Sequence, residues 1–172
     1  MIEALSELIV HCQSPEAGGY TPSDFRLAAL SQQQLDGLVR QISQTGFGRA
    51  GEQIEDIYPL SPLQAGLLFH SLYTPEAGTY CVQIGWTIEG DLDEEAWRQA
   101  WQYVINRYPI LRTCFVWQGL PQPLQVVCGH VEVPLVIQDW RSCSAQELQG
   151  CLEALRQEHD LTSVDVGKAP LL

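Results

Sequence analysis

From Tyr80 to Ile88 the chain alternates without a break: Tyr80, Val82, Ile84, Trp86 and Ile88 on one side, Cys81, Gln83, Gly85 and Thr87 on the other. Side chains of a strand point to opposite faces with a period of two, so this run predicts a strand with one apolar face that a second layer must cover. Gly90-Asp91 ends it. Asp93 then caps a helix that offers Ala96, Trp97, Ala100, Trp101, Val104 and Ile105 to a core and stops before Pro109, which disfavours helical geometry at Tyr108.

The rest of the chain follows the same grammar. Residues 2 to 12 repeat Ile2, Leu5, Leu8, Ile9 and Cys12 at helical spacing, and the stretch from Ser14 to Phe25, with two prolines and two glycines, predicts a linker. Ser31 and Gln34 stand in capping-box positions ahead of a stripe of Leu35, Leu38, Val39 and Ile42. Ser61-Pro62 is a cap with proline at the first helical position, opening an apolar helix through about Leu72. Ile110 to Trp117 and Leu124 to Cys128 predict a hairpin about Gln118 to Pro123, Val133 to Asp139 a fourth strand, and Ser144 the cap of a last helix carrying Leu148, Cys151, Leu152 and Leu155. Asp160 to Leu172 reads as a loop leading into a strand that is cut off. The expected fold class is α/β, a mixed or antiparallel sheet covered by helices.

Composition removes several functions. Twenty-one acidic residues against nine basic give a formal charge of −12, a surface that repels phosphate backbones, so neither nucleic acid nor an anionic membrane is an expected partner. No apolar run approaches the roughly 18 residues of a membrane span. The start lacks a basic region and an apolar stretch, and cytoplasmic localisation is expected. The six cysteines form no Cys-x-x-Cys pair and read as buried free thiols, and the four histidines miss zinc-ligand spacings, so no metal is expected. Gly18-Gly19 lacks the strand before it and the Lys-Ser/Thr after it that a phosphate loop needs.

Two segments are specific. Asp56-Ile57-Tyr58-Pro59-Leu60-Ser61-Pro62-Leu63-Gln64-Ala65-Gly66-Leu67-Leu68-Phe69-His70 resembles the opening motif of condensation domains in nonribosomal peptide synthetases. Asn106-Arg107-Tyr108-Pro109-Ile110-Leu111-Arg112-Thr113-Cys114-Phe115 resembles their second motif, written around His-Glu-x-Leu-Arg-Thr-x-Phe, with Tyr108-Pro109 in place of His-Glu. Tyr20-Thr21-Pro22-Ser23-Asp24-Phe25, with Leu30-Ser31 and Leu35-Asp36, resembles the tail that follows an epimerization or condensation domain.

The resemblance implies a chloramphenicol-acetyltransferase-like fold, of which this chain would hold the first lobe only. It divides the chain into residues 1–12, the last helix of an upstream domain; 13–53, an inter-domain linker with a helix near 31–44; and 54–172, the truncated N-terminal part of a condensation domain. The implied activity is peptide-bond formation between carrier-bound aminoacyl or peptidyl thioesters. The form of the first motif suggests a D-configured donor. The implied cofactor is phosphopantetheine, borne by partner carrier domains and not by this chain. The implied partners are upstream and downstream peptidyl carrier domains and the adjacent epimerization and adenylation domains.

Family catalysis rests on a His-His-x-x-x-Asp-Gly motif, whose second histidine acts on the acceptor amine. No His-His pair occurs here, and His159-Asp160 lacks the rest, so the catalytic set within this chain is empty and the chain alone is expected to be inactive. Of the motif residues Ser61, Gln64, Leu111, Arg112, Thr113 and Phe115, the resemblance gives only Arg112 a part in the site, pairing with the motif aspartate through its forked guanidinium. The alternative for Arg112 is a strand arginine facing solvent. Ser61, Gln64 and His70 read as cap, helix packing and surface, and Cys114 as core. Other readings are an epimerization domain, which shares these early motifs, a non-catalytic docking or linker module, and, least, a free-standing acyltransferase.

Overall fold

A computed structural model describes residues 19–44, 54–73, 82–161 and 164–171. The helix expected at 2–12 and the cysteines at 12 and 81 lie outside them. Three strands form one antiparallel sheet: β1 (Ile54–Pro59), β2 (Thr113–Val116) and β3 (Leu124–Cys128), in the order β1-β3-β2. Four α-helices accompany it: α1 (Gln32–Gln44), α2 (Pro62–Tyr73), α3 (Glu94–Arg107) and α4 (Ala145–Leu161). Two 3₁₀ turns, Arg26–Ala28 and Pro109–Arg112, complete the regular structure of the described residues.

β3 is the hub. Its five residues are all buried, and both neighbours pair with it: Ile57 with Val126 on one side, Cys114 with Val126 on the other. The β2–β3 connection turns through Gly119 at φ +72, a left-handed conformation that an L side chain rarely adopts. Phe115 on β2 donates its N–H to the Val166 carbonyl at 2.9 Å, so the segment 164–171 meets the β2 edge by a backbone bond.

The core joins this sheet to the N-terminal segment. Leu35, Leu38 and Ile42 recur at helical spacing on α1 and are buried together with Phe25, Ala28, Leu30, Ile57, Val116, Leu124 and Val126. Each leucine, isoleucine, valine or phenylalanine among them stabilises by roughly 2 kcal/mol when fully buried. Tyr20 fastens the arrangement. Its hydroxyl accepts the Ile54 N–H at 3.0 Å, its carbonyl accepts Gln32 Nε2 at 3.0 Å, and its ring lies 5.2 Å from that of Phe25.

Caps form where the sequence places them. Ser31 N donates to Gln34 Oε1 at 2.9 Å, Ser61 N to Gln64 Oε1 at 2.8 Å, Ser144 N to Glu147 Oε2 at 2.8 Å, and Asp93 Oδ1 accepts the Ala96 N–H at 2.9 Å.

The structure adds one strand and corrects three. β1, which the sequence pattern does not single out, pairs along β3. The strand expected from Ile110 begins at Thr113, because Pro109 starts a 3₁₀ turn in which Leu111 N–H bonds the Tyr108 carbonyl at 3.0 Å. Residues 82–89 belong to no sheet among the described residues, and Val82 and Trp86 are 83% and 65% exposed. Residues 133–139 form no strand either. Pro134 has no N–H to give a ladder, and Gln102 on α3 takes the local backbone groups instead, donating to Val131 O at 2.8 Å and accepting from Val133 N at 3.0 Å. With neither segment laid against it as a strand, α3 buries only Ile105 fully. Its Ala96 and Ala100 are exposed, while Trp97, Trp101 and Val104 are half-buried.

Candidate functional site

The two motifs meet on the sheet. The first supplies β1 and the start of α2, and the second supplies the Pro109–Arg112 turn and β2. Ser61 caps α2, with Gln64 N–H returning to Ser61 Oγ at 3.3 Å. The Gln64 side chain also reaches β3: its Nε2 lies 3.1 Å from Gln125 Oε1, and Gln125 Nε2 donates to the Pro59 carbonyl at 2.9 Å. A buried amide on the central strand thus ties β1 to α2. Thr113 is buried with its hydroxyl on the Pro109 carbonyl at 2.9 Å, and Leu111 and Phe115 are half-buried beside it. His70 is exposed on α2, its ring 5.8 Å from that of Phe69.

Arg112 is the one cation buried among the described residues, at 5% exposure, so the solvent-facing alternative is overturned. Its guanidinium sits where α3 ends. Nε donates to the Ile105 carbonyl at 3.2 Å and Nη2 to the Asn106 carbonyl at 3.4 Å, both at the C-terminal end of α3, where carbonyls lack helical partners and a cation is favourable. Nη1 donates to the Cys128 carbonyl at the end of β3, to Gly129 O at 3.4 Å, and to Glu55 Oε2 at 2.6 Å. One side chain therefore joins a helix end, the central strand and β1. Every fully buried side-chain nitrogen and oxygen of the described residues has a partner.

Cys114 and Cys128 are buried neighbours on β2 and β3. A hydrogen bond to Cys128, then burial, pushes the Cys114 thiol well above the ordinary range, which keeps it protonated and unfit as a nucleophile. Among the described residues no cluster of histidine, cysteine and carboxylate side chains could hold a metal, and no helix is long and apolar enough to cross a membrane. Two open clefts of about 320 and 220 Å³ lie beside α1 and the β2–β3 turn, and neither Ser61, Gln64 nor Arg112 lines them. Of the motif residues only Phe115 lines one of them, the smaller, so the site is placed by the motifs and not by the clefts. His159-Asp160 falls where side chains are not described. Glu55 and Gln125 are the residues that sequence reasoning missed. The acidic pair Glu55-Asp56 ahead of Ile57 was the available signal, but only the fold shows that Glu55 reaches Arg112.

Comparison with known proteins identifies the family. Residues 54–172 match the model of the family described as Condensation domain. A linear gramicidin synthase protein of Brevibacillus parabrevis is 48% identical over 168 residues, covering 98% of this chain and 3% of that protein. A second protein of the same synthase is 45% identical over 99% of this chain and 2% of its own length. A mycosubtilin synthase protein of Bacillus subtilis is 37% identical over 84% of this chain and 5% of its own length. The chain thus spans only a few per cent of these curated relatives. A solved structure described as "The crystal structure of CT" superposes with a TM-score of 0.54 at 23% identity over 85% of this chain and 31% of that one, a likeness of fold. With the family model covering most of its length and both motifs seated on one sheet, the chain belongs to the condensation-domain family.

Proposed function

We propose that the parent protein forms a peptide bond between two carrier-bound thioesters, and that this chain supplies the sheet and the buried Arg112 that shape one wall of the reaction site. The acyl groups arrive on phosphopantetheine arms of upstream and downstream peptidyl carrier domains, with epimerization and adenylation domains as neighbours in the same synthetase, in the cytoplasm. Residues 1–12 close the upstream domain, and 13–53 join it to this one. The observation that carries the reading is the placement of Arg112: a permanently charged, buried fork at the meeting of α3, β1 and β3, inside a motif of the condensation family. Nη2 holds one long contact among the described residues, to Asn106 O at 3.4 Å, and so keeps donor capacity for the carboxylate of a His-His-x-x-x-Asp-Gly motif. Without that motif the 172 residues do no chemistry alone.

The test uses the intact synthetase with both carriers loaded, reading carrier-bound product by mass spectrometry. A dipeptidyl thioester that forms with the native chain and falls at least about tenfold with Arg112→Ala supports the reading. An inverted α-carbon with no new amide would instead identify an epimerization domain, and a native synthetase that forms neither product overturns the enzymatic reading. Loading the donor carrier with the D or the L residue in turn tests the expected D-configured donor, which must react faster.

A further inference from the structure

Glu55 is placed unlike its neighbours on β1. The register slips between Ile54 and Asp56, with Ile54 opposite Cys128 and Asp56 opposite Val127, so two steps on β1 face one on β3 and Glu55 has no partner residue in the ladder. Such a bulge re-aims the side chain it carries, and bulges gather beside active sites. Here the re-aimed carboxylate reaches Arg112 Nη1 at 2.6 Å, across 57 positions of sequence, on the same nitrogen that donates to the Cys128 carbonyl opposite the slip.

The division of Arg112's donors gives the contact a purpose. Nη1 carries two hydrogens and faces three acceptors, so it is filled. Nε is taken by Ile105 O. Nη2 carries two hydrogens and, among the described residues, one long contact, so the edge of the fork away from Glu55 retains its capacity. Glu55 is about half exposed, and its anion stays solvated on one side while it offsets a cation that is almost wholly buried.

We propose that Glu55 is a positioning residue for the condensation reaction: fixed by the β1 bulge, it holds the Arg112 guanidinium by Nη1 and turns Nη2 toward the reacting centre. This rests on the role given to Arg112 above. Glu55 does not touch substrate. It sets the plane of the group that shapes the site, and a small misplacement there costs rate.

The experiment compares Glu55→Gln, Glu55→Asp and Arg112→Lys in the intact synthetase, measuring single-turnover dipeptidyl formation against acceptor-carrier concentration, with thermal unfolding of each variant. Expected for Glu55→Gln, at a temperature where the variant is fully folded, is about a tenfold lower maximal rate with an unchanged half-saturating carrier concentration, and Glu55→Asp recovers most of the loss. If Glu55→Gln matches the native rate while Arg112→Lys is slow, the Glu55 role is overturned and that of Arg112 stands. If neither variant slows the reaction, the reading of Arg112 fails and Glu55 with it. A Glu55→Gln loss that follows a lowered melting temperature and is not recovered by Asp shows a structural contact only and also overturns the proposal.

Discussion

The side-chain amides of Gln64 and Gln125 meet at 3.1 Å although 61 positions separate them, joining the first turn of α2 to the central strand. Both amides are committed elsewhere too, Gln64 Oε1 to the Ser61 N–H and Gln125 Nε2 to the Pro59 carbonyl. Replacing either with alanine leaves a buried or half-buried partner unpaired, at about 1 to 2 kcal/mol. Urea unfolding of both single variants and of the double variant should show the double costing about 1 kcal/mol less than the sum. Simple additivity would show that the two amides do not act as one unit.

Arg112→Ala leaves carbonyls at the end of α3 and of β3 without their donor and Glu55 without its cation. The expected cost is about 3 kcal/mol by denaturant midpoint. Arg112→Lys recovers little of it, because a single ammonium cannot span a helix end and two strands. A lysine variant as stable as the native chain would contradict the clamp.

α1 belongs energetically to the sheet it covers. Leu38 is 2% exposed, in one cluster with Val116 and Val126. Leu38→Ala is expected to destabilise the whole folded unit by about 3 kcal/mol, shifting the unfolding of α1 and of the sheet together. Separate transitions for the two would show that residues 19–44 are only a passive tether.

What could be read from the sequence divides along local and non-local lines. The caps at Ser31, Ser61, Asp93 and Ser144 are contacts over three positions, and all form. The Leu124–Cys128 strand and the turn before it are likewise local. Strand pairing is not local: the alternation of Val82, Ile84, Trp86 and Ile88 is real, but the layer able to cover it is not among the described residues, and these side chains stay exposed. β1 escaped notice because Glu55 and Asp56 break its alternation at the bulge, the same irregularity that carries Glu55 to Arg112. The motif residues were legible one by one. Their convergence on β3 was not, because it depends on partners 16 and 61 positions apart.

Asp139 provides a pH signature. Side-chain hydrogen bonds from Arg141, with Nε at 2.8 Å from Oδ1, hold its carboxyl down to about 2. A carboxylate held below its ordinary value contributes stability above that ordinary value, near pH 4, and loses it as pH falls through about 2. Carboxyl carbon shifts followed by NMR should place the native titration there. Arg141→Ala should return it to the ordinary range, and high salt should weaken the depression, since both groups are exposed. An ordinary value in the native chain would contradict the fork.

We propose above that Arg112 belongs to a condensing site completed by a downstream carboxylate. The most direct measurement is to read the parent coding sequence past Leu172. The expected result is an in-frame His-His-x-x-x-Asp-Gly, whose aspartate is the partner Nη2 can still accommodate. A stop codon at that point, or a continuation in which the histidine or aspartate is replaced, would contradict it and leave the chain a binding or structural role.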